Sequence, residues 1–272
     1  MRTYLILLVA ISASSCAFKG PKAEIYDTSA TFNDLIWADE FEQKNLDTSR
    51  WKVILGDGCP ELCGFGNNEL QYYTDASTNL RLEAGKLIIQ AFQEVQGSRS
   101  YTSAKIVSEG KGDWTYGRFE LKARLPNGKG TWPALWMMPT LERAIKWPQD
   151  GEIDIMEHVG YNPGVVHGAI HTESYNGMLG TQQVDSLSVA TASDEFHVYA
   201  LEWEPDRLAW YIDETKFFEL HKKDLNEADW VFDKPFHLIM NLAVGGNWGG
   251  RYGVDASAFP QTLEVDYVRV YQ

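Results

Sequence analysis

The run Glu152-Ile153-Asp154-Ile155-Met156-Glu157-His158 sets three carboxylates in a stretch that otherwise reads as a buried strand. Strands alternate faces with a period of two, so Glu152 and Asp154 share one face while Ile153 and Ile155 take the other. Strict alternation would turn Glu157 away. One extra residue, a β-bulge at Ile155-Met156, returns Glu157 to the face of the other two acids. Bulges gather beside active sites because they re-aim a side chain. Like charges on an internal strand repel and raise each other's pKa, so stability is a poor reason to keep them. A solvated edge strand would carry scattered acids without cost, but Ile153, Ile155 and Met156 ask for a core behind them. Two carboxylates across a groove can cleave a glycosidic bond: one protonates the departing oxygen, the other attacks the anomeric carbon or activates water. Glu152 and Glu157 stand about 13 Å apart at Cα by the strand rise. Two glutamates leaning together close that to about 5 Å between oxygens, the separation of a retaining pair. Asp154, between them, would hydrogen-bond Glu152 and hold its orientation and charge.

The aromatic content suits such a groove. Ten tryptophans in 272 residues exceed what a core of this size requires. Trp132 and Trp136 are four apart and share a strand face, and Trp147 directly precedes the acidic strand; all three read as platforms for sugar rings. Trp203 and Trp210, flanking the Pro205-Asp206 turn, read as structural. The formal charge of −14 argues against nucleic acid, an anionic membrane surface or a polyanion as partner, and admits a neutral polymer. His167 and His171 are too far apart on a strand to share a metal ion; His171 reads as a groove residue near bound sugar.

The elements that must position these residues are strands. Short alternating or apolar runs cover 86–94, 101–109, 116–126, 132–139, 152–158, 165–172, 197–204, 207–213, 236–244 and 263–271, with Gly, Pro, Asn and Asp between them. Helical periodicity is confined to a short piece at 222–230. The pattern predicts an all-β domain, a jelly-roll sandwich of two curved antiparallel sheets with a concave substrate groove.

The first fifteen residues read as an export signal: Arg2 supplies the basic region, an apolar stretch follows, and Ala13-Ser14-Ser15 offers small residues for cleavage. Small residues before Cys16 resemble a bacterial lipobox. The sequence therefore divides into a signal peptide (1–15), a lipidated Cys16 with a polar tether (16–31), and a single catalytic domain (32–272). The expected location is the cell envelope, anchored by lipid to the outer membrane, with simple secretion as the alternative. Cys59 and Cys63 suit a local disulfide in an exported protein.

Gly-Glu-Ile-Asp-Ile-Met-Glu, residues 151–157, resembles the signature of glycoside hydrolase family 16 in its bulged version. The resemblance covers nearly the whole mature chain. It includes runs 35–41, 64–73, 116–120, 130–136, 147–151, 241–248 and 265–271, and the runs at 66–73 and 241–248 are similar to its laminarinase branch. The resemblance implies a jelly roll and a retaining mechanism, with Glu152 as nucleophile, Asp154 as supporting carboxylate and Glu157 as acid/base. It implies endo-cleavage of β-1,3-glucan, with no cofactor for catalysis; no exposed apolar stripe suggests assembly, so a monomer is expected. Asn67, Arg118, His171 and Trp248 join the three groove tryptophans as expected sugar contacts; Arg118 is alternatively a partner of a catalytic carboxylate. Relatives in the family often hold a structural calcium ion, which here implies the Asp266 side chain with backbone oxygens near Glu40 and Gly85. Phe65 and Gly249 depart from residues frequent in the branch. Hydrolysis of mixed-linkage glucan or a red-algal galactan is the neighbouring reading. A glucan-binding protein without activity is the reading from another class, and the presence of both glutamates weighs against it.

Overall fold

The computed structural model describes residues 32–272. The expected signal segment, Cys16 and the tether lie outside the described residues. Two eight-stranded antiparallel sheets pack face to face, giving the jelly-roll sandwich. The first sheet runs in the order Gln183–Ser188, Val165–His171, Glu152–His158, Thr131–Pro139, Phe236–Val244, Lys105–Val107, Lys52–Val53, with Asp113–Trp114 also paired to Phe236–Val244. The second runs Thr215–His221, Arg207–Ile212, His197–Glu204, Gly117–Arg124, Gln261–Tyr271, Leu87–Ala91, Leu80–Leu82, with Leu35–Asp39 also on Gln261–Tyr271. A small parallel pair, Gln71–Tyr73 with Tyr101–Ser103, lies apart from both.

Every run expected to be extended falls on a strand, with 101–109 divided at Ala104. The 222–230 piece is not an α-helix: it is two single 3₁₀ turns, Lys222–Asp224 and Glu227–Asp229. Three or four residues are too few to propagate a helix once nucleation is counted, and Asn226 between the turns keeps an extended backbone.

The core lies between the sheets. Leu135, Met137, Ile153, Ile155, Met156, Leu238, Met240 and Leu242 of the first sheet meet Phe119, Leu121, Tyr199, Leu201, Trp203, Trp210, Leu263, Val265 and Val268 of the second, all buried in one cluster. Each of these larger apolar side chains contributes about 1.5–3 kcal/mol on burial. Trp203 and Trp210 are fully buried here, as their structural reading predicts. Their indole N–H groups are satisfied by backbone carbonyls: Trp203 by Phe232 at 2.9 Å and Trp210 by Asp154 at 2.8 Å. The rear of the acidic strand is thus held by the hydrophobic interior, which leaves its other face for polar chemistry.

Candidate active site

Strand pairing locates the bulge. On one side Asp154 pairs with Trp136 and Met156 with Leu135; on the other Asp154 pairs with Ala169 and Glu157 with His167. Both ladders break their register within Asp154–Glu157, so one extra residue is accommodated at Ile155-Met156. Ile153, Ile155 and Met156 are buried in the core, whereas Glu152 and Glu157 are half-buried on the opposite face and Asp154 is buried between them. Gly151 starts the strand with φ of +90°, and a Cβ there would meet Val231 at 2.7 Å.

Each glutamate is held by an indole. Trp147 Nε1 donates to Glu152 Oε2 at 2.6 Å, and Trp132 Nε1 donates to Glu157 Oε1 at 2.9 Å. Trp147 is placed by a tight loop in which Asp150 accepts from both Arg143 guanidinium nitrogens at 2.6 Å and from the Lys146 backbone at 2.7 Å. That contact with Arg143 holds the Asp150 carboxyl well below the usual range. Trp132 packs edge-on against Trp248 at 5.7 Å, and His167 packs edge-on against Trp248 at 5.1 Å. The Glu157 side is therefore walled by Trp132, Trp248 and His167. The Glu152 side is walled by Trp147 and His171, whose rings are 5.9 Å apart. His171 Nε2 lies 3.2 Å from Asp154 Oδ2 and 3.9 Å from Glu152 Oε1.

Farther across the same sheet, Trp136 Nε1 donates to Asn241 Oδ1 at 2.7 Å, and Asn241 Nδ2 donates to the Tyr73 hydroxyl at 3.0 Å. Lys105 Nζ stands over the rings of Trp136 and Phe65, at 4.8 and 5.0 Å. Its burial lowers its pKa, and the charges of Glu69 and Glu152 oppose that shift. Asn67 Nδ2 makes a long 3.4 Å hydrogen bond to Glu69, and its carbonyl accepts from Asn247. Sequence reasoning does not mark Lys105, Tyr73, Asn241 or His167 as site residues. The available signal was Lys105 itself, one cation in the apolar run Ala104-Lys105-Ile106-Val107.

Desolvation dominates the electrostatics. Burial first, then the Asp154 charge, lifts Glu152 to about 8. Burial lifts Glu157 to about 7, opposed by His171 and by the Trp132 hydrogen bond. Asp154 is also raised, by burial and then by the charge of Glu157. The Asp154 charge beside Glu152 ties the two carboxyls together, so they titrate as a pair. Sequence reasoning predicts a low Glu152 and a high Glu157; in the free site both are high, because both are taken from water and Glu152 has Asp154 beside it.

One expectation fails on geometry. Arg118 belongs to the second sheet and does not reach the acidic row. Its guanidinium pairs with Glu120 at 2.8 Å and Glu202 at 3.0 Å and lies over the Tyr211 ring at 5.3 Å. Alternation puts Phe119 and Leu121 into the core and Arg118 and Glu120 on the far face of that sheet. The calcium ligands implied by the resemblance are the Asp266 side chain and backbone oxygens near Glu40 and Gly85; Asp266 Oδ2 lies 2.8 Å from Lys122 Nζ, and Gly85 sits in the turn at 83–86. Cys59 and Cys63 are joined in a disulfide.

An acidic strand carrying two indole-clasped glutamates on the open face of an all-β sandwich defines a glycoside hydrolase. The chain belongs to glycosyl hydrolases family 16, whose model matches residues 63–269. It is 52% identical over 248 residues to a β-glucanase of Rhodothermus marinus, covering 88% of this chain and 85% of that protein. It is 39% identical to a glucan endo-1,3-β-glucosidase of Cryptopygus antarcticus, covering 86% and 90%. The solved laminarinase of Rhodothermus marinus superposes with a TM-score of 0.83 at 50% identity, covering 88% of this chain and 97% of that one.

Proposed function

We propose that the protein is an endo-acting, retaining β-1,3-glucanase. The observation that carries the mechanism is the bulge at Ile155-Met156, which brings Glu157 to the open face beside Glu152 and Asp154. Glu157 donates its proton to the departing glycosidic oxygen while Glu152 forms a bond to the anomeric carbon. Glu157, now a carboxylate, then takes a proton from water. The oxygen of that water displaces Glu152, which restores the starting proton count and the β configuration. Asp154 shares a proton with Glu152 and so governs the charge available for attack. Trp132, Trp136, Trp147 and Trp248 offer the flat faces that stack on glucose rings.

The choice of β-1,3-glucan is supported by the names and identities of the relatives and by the absence of polyanion chemistry in an acidic chain. Glu152→Gln is expected to abolish laminarin hydrolysis while leaving the fold intact. Wild-type digests are expected to give early oligosaccharides of several lengths with β configuration at the new reducing end. Faster cleavage of mixed-linkage glucan or agarose than of laminarin, or inverted products, would overturn the assignment.

For cellular placement the reading rests on sequence alone: export through residues 1–15, lipid on Cys16, and a tether that lets a monomeric catalytic domain reach polymer outside the cytoplasm. Labelled palmitate should enter wild type and not Cys16→Ser. Unlabelled wild type found free in the medium would replace anchoring with secretion.

A further inference from the structure

His171 faces two ways. Its Nδ1 accepts a hydrogen bond from the Gly177 backbone N–H at 3.2 Å. A ring nitrogen that accepts carries no proton, so in the neutral ring the proton sits on Nε2. That nitrogen is the one 3.2 Å from Asp154 Oδ2. Asp154 Oδ2 is buried and has no hydrogen-bond partner among the described residues, the His171 approach being off the bonding line.

The loop that supplies Gly177 is itself fixed. Asn176 is buried; its Nδ2 donates to the carbonyls of Thr172 and Glu173 at 3.2 and 3.0 Å, and its carbonyl accepts from Leu179 at 3.2 Å. Buried Asp229 accepts from Thr172 Oγ1 and from the Ser174 backbone, each at 2.9 Å. The turn therefore presents the Gly177 N–H at a set position against the imidazole.

We infer that His171 is a positioning residue whose tautomer is selected by the 173–181 loop, so that Nε2–H donates to Asp154 Oδ2 and fixes that carboxyl with its other oxygen, and the shared proton, directed at an ionised Glu152. The loop thereby sets the state of the acidic row without touching it. This deepens the proposed mechanism and rests on its assignment of Glu152 and Asp154.

The tautomer is measurable without turnover. Long-range ¹⁵N–¹H correlation spectra of the folded wild-type protein should show one of the six imidazoles, assigned by its loss in His171→Gln, with a bare Nδ1 and a protonated Nε2. Protonation on Nδ1 would overturn the inference, whatever the outcome for Glu152→Gln, which tests the underlying mechanism separately. His171→Gln keeps a donor near the Nε2 position and His171→Asn keeps only the Nδ1 position, so kcat should be at least about tenfold lower in His171→Asn than in His171→Gln. Equal activities, or an effect confined to KM, would overturn it. Gly177 avoids the left-handed region and holds the second position of its turn, where proline is tolerated. Gly177→Pro should remove the N–H and lower kcat, while Gly177→Ala, whose Cβ would meet His171 at an ordinary 3.6 Å, should match wild type.

Discussion

The indole nitrogen of Trp210 lies 2.8 Å from the carbonyl oxygen of Asp154, across the interior of the sandwich from the sheet that carries it. The contact pins the backbone beside the register break from behind. It passes Gly168, where a Cβ would come within 2.6 Å of Trp210 Cδ1. Trp210→Phe keeps most of the apolar volume and leaves a buried carbonyl without its donor. We expect a loss of about 1–3 kcal/mol in stability, measured by denaturant unfolding, together with a fall in kcat as Glu157 loses its set direction. Gly168→Ala should cost a similar amount through overpacking. A Trp210→Phe protein with wild-type stability and kcat would show that the ladder alone holds the bulge.

The two indole donors can be separated from ring stacking. Trp147→Phe and Trp132→Phe retain a flat ring and remove the N–H that favours the ionised glutamate. With Glu152 titrating above Glu157, the first should raise the Glu152 pKa and shift the basic limb of kcat/KM upward. The second should raise the Glu157 pKa, the lower of the two, and shift the acid limb upward. Unmoved limbs, with only KM altered, would mean that the tryptophans serve the sugar alone.

Burial of Glu152 also predicts how stability responds to pH. The folded chain keeps a proton up to about 8, whereas an ordinary glutamate loses it near 4.5. Between those values the native state binds more protons than the unfolded one, so raising pH destabilises wild type through this group. Glu152→Gln does not titrate. Its Tm relative to wild type should therefore be more favourable at pH 8 than at pH 5. A difference independent of pH would contradict a raised Glu152.

Arg118 and the Asp266 region should behave as structure rather than chemistry. Arg118→Ala leaves Glu202 and Glu120 short of a partner and should lower Tm with KM for laminarin unchanged. Chelation with EGTA should leave both Tm and activity unaltered. A clear drop in Tm on chelation would instead mark a calcium site at Asp266.

The sequence carries the fold through alternation: Phe236–Val244 and Glu152–His158 are read to the residue because apolar runs and turn residues bound them. Thr215–His221 and Gln183–Ser188 escape, since half-exposed edge strands lack a strong alternating pattern. The acidic row and its bulge are legible because three carboxylates with three core residues admit few arrangements. What lies on neighbouring strands is harder. Lys105, Tyr73 and Asn241 meet only through pairing between distant segments. Arg118 misleads because a well-formed motif says which strand a residue occupies, and not which of two sheets that strand joins.

The bulge makes the site a matter of parity. Side chains on a strand answer to whether their count from a fixed point is odd or even, and one inserted residue reverses the answer for everything beyond it. Exchange of Ile155 for another apolar side chain leaves the count alone, so the chemistry survives much variation there. Loss of a single residue between Asp154 and Glu157 removes the bulge and leaves Glu157 on the open face by plain alternation, whereas a further inserted residue turns it toward the hydrophobic interior. Over this short stretch the residue count, taken together with the bulge, decides which side chain meets the polymer.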